Sequence, residues 1–151
     1  MVFPSPHLSL WIALGIFLAL ATVTDLRRRV IPNRLVAASA LVGVVLQLGA
    51  PSELVINAAV GIVLGGMVFA LSVGYGKVRG TLGFGMGDVK AVAAVGLLVG
   101  WLAVPVLVSA CALGSAFGIA GILTKRMTRT SRLPFAPLLL LGAIIVFAYH
   151  A

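Results

Sequence analysis

Apolar and polar positions form blocks along this chain rather than alternating within elements. Apolar runs at about 8–24, 35–48, 54–73, 88–101, 103–123 and 133–149 are parted by short segments that hold most of the charge. None of the runs shows a polar face, which in a helix means apolar surroundings on every side. Their lengths approach the roughly 20 residues that a helix needs to cross a hydrocarbon core about 30 Å thick. From 89 to 123 the apolar character is almost unbroken. As one helix that stretch would measure about 50 Å, so it must fold back, and the segment from Gly100 to Pro105 is the place for it. The pattern predicts an all-α, polytopic membrane helical bundle of about six transmembrane helices, in a single membrane-embedded domain over 1–151.

Boundary residues refine this picture. Trp11 suits an interfacial anchor near the start of the first helix. Pro32 stops any helix arriving from its N-terminal side, and Asn33 is a fitting cap for the second helix. Ser52 can cap the third, with Glu53 in its first turn complementing the helix dipole. A glycine-rich loop is expected over 74–87. The pairs Gly61/Gly65, Gly96/Gly100 and Gly114/Gly118 offer small-residue faces for close helix packing. Gln47 and Asn57 can hydrogen-bond between helices. Leu8 to Ala21 could be mistaken for a signal peptide, but Met1 to His7 carry no Lys or Arg, so the run is expected to be a retained span.

Composition agrees: 62% of residues are hydrophobic and the mean hydropathy is +1.22. A formal charge of +8 raises the question of nucleic acid. The basic residues, however, sit in short clusters between the apolar runs: Arg27, Arg28, Arg29 and Arg34; Lys77, Arg79 and Lys90; then Lys125, Arg126, Arg129 and Arg132. By the positive-inside rule these segments face the cytoplasm and both termini face outward, so the partner is the lipid bilayer and not nucleic acid. Cys111 is alone within an apolar run and His7 and His150 lie at the outer ends. These three frame neither a disulfide nor a metal site, and no cofactor is expected.

Candidate chemistry rests on the three acids, Asp25, Glu53 and Asp88. An ionised carboxylate is expensive near hydrocarbon, so acids beside a membrane span point to function. Asp25 ends the first span and Asp88 begins the fourth, both on the cytoplasmic side. Each has a plain structural reading: Asp25 as a surface partner of Arg28 or Arg29, Asp88 as a helix cap. Caps alone leave the alternating Gly83, Gly85 and Gly87 before Asp88 unexplained. If the two spans are neighbours, the carboxyls share a proton; one then deprotonates water while the other hydrogen-bonds a scissile carbonyl. The glycines would let an extended peptide approach the backbone as an added strand. On the helix dipoles alone, the shared proton belongs on Asp25.

The stretch from Asp25 through Ile31, Pro32 and Asn33, and the stretch Gly85-Met86-Gly87-Asp88-Val89-Lys90, resemble the two signature segments of the type IV prepilin peptidases, bacterial inner-membrane aspartic proteases of the GxGD class. The segment Leu133-Pro134-Phe135-Ala136-Pro137 is similar to that family's Pro-Phe-x-Pro element. The resemblance implies Asp25 and Asp88 as the catalytic pair, with Gly83, Gly85, Gly87, Asn33 and Lys90 binding substrate. It also implies a prepilin or pseudopilin substrate, whose basic leader lies in the cytoplasm ahead of an apolar helix. Long members carry an extra domain with Cys-x-x-Cys pairs and methylate the new N-terminus; with one cysteine, this chain looks like the short form of the tight-adherence and Flp pilus systems. Rival readings are a small transporter or proton relay using the two acids, which calls for acids near the midplane, and an inert pilin-assembly subunit. The oligomeric state stays open, a homo-oligomer included.

Overall fold

In a computed structural model, residues 8–28, 30–79, 85–125 and 134–150 are described. They form six α-helices and no strand: α1 (Leu8–Arg28), α2 (Asn33–Gln47), α3 (Pro51–Arg79), α4 (Met86–Val99), α5 (Ala103–Leu123) and α6 (Ala136–His150). A 3-10 turn, Gly100–Leu102, separates α4 from α5. This is a helical membrane bundle, with long apolar stretches at Leu8–Arg28, Pro51–Lys77 and Met86–Leu123 and shorter apolar helices at Asn33–Gln47 and Ala136–His150. Large apolar side chains such as Leu41, Val55, Ile62, Phe117 and Ile144 point outward, as lipid-facing residues do.

α4 is the centre. It packs against α1, α2, α3 and α5, while α6 bridges α5 and α1. Val89, Ala91, Val92, Ala94, Val95, Leu98 and Val99 are all buried, which explains why its sequence has no polar face. Its 14 residues reach only about 21 Å. A helix sheathed by its neighbours has little lipid surface to match to the bilayer.

Absent side chains let α3 and α4 cross in backbone contact. A Cβ on Gly96 would lie 2.5 Å from Gly61 Cα, and one on Gly61 2.5 Å from the Ala93 carbonyl oxygen. Gly142 plays the same part between α6 and α5, against the Val106 carbonyl oxygen, a contact not foreseen from the sequence. Gly100 both packs and turns: a Cβ there would collide with the Asn57 side chain of α3. It takes φ +55° beside Asn57 and turns the chain, so α4 and α5 run antiparallel as the fold-back required. At this same end Asn57 Nδ2 donates to Gln47 Oε1 (2.6 Å), and Gln47 Nε2 donates to the carbonyls of Gly43 and Leu97 (2.8 and 3.0 Å). Gln47 is only 1% exposed, and this network pins α2, α3 and α4 together.

Four local expectations change. α3 continues through 74–79 instead of giving way to a loop. Gly in a helix costs about 1 kcal/mol, and an unpaired backbone group costs as much or more, so two glycines do not end it. Pro51, not Ser52, opens α3, since an N1 proline loses no hydrogen bond. Pro32 is the cap residue of α2, leaving the Asn33 side chain free for another use. Trp11 is 9% exposed and packs edge-on against Phe147, with ring centroids 5.4 Å apart, so it braces α1 on α6 rather than anchoring at an interface.

Candidate active site

Asp25 lies in the last two turns of α1 and is 7% exposed, whereas Arg27 and Arg28 are exposed. It is not the surface ion-pair residue of the plain reading. A buried carboxylate needs donors, and Oδ2 of Asp25 accepts the backbone N–H of Ala136 at 3.2 Å. Ala136 opens α6, where the first N–H groups have no partner within the helix. Pro134 and Pro137 bracket this residue, and Pro137 has no N–H of its own. The Pro-Phe-Ala-Pro segment thus aims one backbone donor at Asp25.

Asp88 sits in the first turn of α4, one turn past the N-cap position, which Gly85 occupies. Its Oδ2 accepts the N–H of Gly85 at 3.1 Å, and its own N–H donates to the Gly85 carbonyl at 3.0 Å. Asp88 and Asp25 are close enough to act on each other electrostatically. Each carboxylate accepts a backbone N–H at the start of a helix, α4 for Asp88 and α6 for Asp25. The start of α6 thus opposes the dipole that the end of α1 presents to Asp25.

The two segments around the acids interlock at two further points. Ile31, 4% exposed, packs on Gly87, where a Cβ would come within 3.3 Å of the Ile31 Cβ. Lys90 Nζ donates to Asn33 Oδ1 at 2.9 Å, so the lysine ties α4 to the start of α2. Of the positions expected to bind substrate, Gly85 touches Asp88, Gly87 touches Ile31, and Asn33 and Lys90 touch each other, while Gly83 lies outside the described residues. Within the chain, Gly85 serves as a donor to Asp88 and Gly87 as a seat for Ile31. One buried polar atom nearby has no hydrogen-bond partner, Oγ1 of Thr22, a helical turn before Asp25. The residue that sequence reasoning missed is Ala136. Its role is carried by backbone, and its only signal was the flanking prolines.

The arrangement sets two carboxyls from separate helices at the end of the bundle that holds Arg27, Arg28, Arg34, Lys77 and Lys125. A model of the type IV leader peptidase family matches residues 12–150. The chain belongs to that family. Over 141 residues it is 30% identical to a prepilin leader peptidase/N-methyltransferase of Bacillus subtilis, covering 87% of this chain and 52% of that protein. A protein of the same description from Aeromonas salmonicida is 29% identical over 130 residues, covering 85% of this chain and 45% of the relative. One from Burkholderia pseudomallei is 44% identical over 66 residues, 42% of this chain and 21% of the relative. The chain thus spans about half the length of the first two leader peptidase relatives. No solved structure matches.

Proposed function

We propose that this chain is a membrane aspartic endopeptidase that removes the basic leader from prepilin-like proteins at the cytoplasmic face of a bacterial inner membrane. The observation that carries the reading is that Asp25 and Asp88, each on its own helix and each accepting a backbone N–H, lie within electrostatic reach of one another. Two carboxyls in one desolvated site share a proton. The ionised one takes a proton from water as the water oxygen attacks the scissile carbonyl; the protonated one hydrogen-bonds the carbonyl oxygen. Collapse of the tetrahedral intermediate breaks the C–N bond, and the departing amine takes up a proton from the pair.

Both acids stand in terminal turns on the basic end of the bundle, which favours cleavage of a cytoplasmic leader over a proton relay through the midplane. In the orientation proposed, that end is cytoplasmic and both chain termini face outward. Gly83, Gly85, Gly87, Asn33 and Lys90 are the positions proposed to bind substrate, Gly85 also holding Asp88 through its N–H. The test is incubation of the purified chain with prepilin-like substrates. Wild type should cleave before the apolar helix, and Asp25→Asn and Asp88→Asn should not. Cleavage by either variant at the wild-type rate would remove that acid from the mechanism.

A further inference from the structure

A slot of about 260 Å³ opens on the outside of the bundle between α2 and α3. Val36 and Ala40 form one wall, Ala58 and Ile62 the other, and Ala93 and Leu97 of α4 the floor. Above it, toward the basic end, stands Lys90, the single charged residue of the lining. Ile62 is exposed, so the slot is open sideways to the lipid. Alanines along both walls and the floor keep it clear, and the Gln47–Asn57 contact joins α2 and α3 beyond its far end.

We infer that this slot binds one acyl chain of an anionic phospholipid whose phosphate rests on Lys90. Apart from Lys90 the lining is apolar, as a hydrocarbon chain requires, and the slot faces the lipid that would supply one. Charge selects the headgroup. An ammonium has three donors, and Asn33 Oδ1 occupies one, leaving two for phosphate oxygens. The nearest acid along α4, Asp88, gives its oxygen to the Gly85 N–H. Basic pockets between membrane helices on the cytoplasmic side are where such headgroups bind.

The headgroup would then lie two residues along α4 from Asp88, on another face of the helix. A bound lipid would brace the Asn33–Lys90 link and with it the Ile31 contact on Gly87. This inference is independent of the peptidase reading, because its readout is lipid retention and not cleavage.

The test uses the full chain, extracted from vesicles containing equal phosphatidylglycerol and phosphatidylcholine, with retained lipid counted by native mass spectrometry. Phosphatidylglycerol should be favoured about fivefold, the effect of one lysine near the surface. Lys90→Gln should abolish the preference while total retained lipid falls little. Ala58→Leu, which fills the slot, should lower retention of both lipids, and Ala40→Leu should do the same from the opposite wall. Glycerol phosphate, which has no acyl chain, should not displace the lipid. Equal retention by wild type, a preference that survives Lys90→Gln, or retention unaffected by both leucine variants would overturn the inference. Displacement by an apolar helical peptide would assign the slot to substrate and overturn it equally.

Discussion

At the scale of single residues, the glycines before Asp88 have structural duties inside the chain. Gly87 gives Ile31 its seat, and a Cβ at 3.3 Å is already tight. Gly87→Val would push Ile31 away and shift the first turn of α4, which carries Asp88. A misplacement of about 1 Å in a reacting group can cost on the order of 10²-fold in rate. We therefore expect Gly87→Val to lose cleavage by about that factor while circular dichroism keeps its helical signal; wild-type cleavage would show the seat to be dispensable. The acids themselves were legible in the sequence because charge is so scarce in this chain. Their hydrogen bonds were less so. Asn33 suits a cap by residue type, but the preceding proline takes that position and the side chain reaches Lys90 instead. The Ala136 N–H was invisible because a backbone group has no residue signature.

Elements were read from runs of apolar residues, and five of the six helices keep close to the expected limits. The exception is the end of α3, where the glycines predict a break but the helix continues and pairs their backbone. Glycine spacing was a good guide to α3 and α4, where Gly61 and Gly96 meet, but it missed Gly142, whose partners lie far away in sequence. The α3–α4 crossing yields an element-scale prediction. Gly96→Val places a branched side chain against α3 backbone with no flexible neighbour to yield. Overpacking of this kind costs about 1–3 kcal/mol or more. The variant should unfold in detergent at clearly lower temperature than wild type, and an unchanged transition would contradict the backbone contact. At the end opposite the acids, Gln47→Leu leaves Asn57 and the Leu97 carbonyl without their partner, at a cost of about 1–3 kcal/mol, measurable in the same assay.

On the scale of the whole molecule, the bundle has a basic end that carries the acids and an opposite end held by Gln47, Asn57 and the Gly100 turn. In a Cys111→Ala background, single cysteines at positions 30 and 125 should be labelled from the cytoplasm, and those at 51 and 150 from outside. Reversed labelling would put both acids on the face away from a cytoplasmic leader. The central claim is that Asp25 and Asp88 act as one unit, and a kinetic double-mutant cycle tests it most directly. Leader cleavage would be timed for wild type, Asp25→Asn, Asp88→Asn and the double variant, each confirmed as folded. Groups that act together show grossly non-additive losses. Each single variant should fall by at least about 10³-fold, and the double variant should be no slower than the singles. Losses that multiply in the double variant, or substantial cleavage by either single one, would contradict a shared-proton pair.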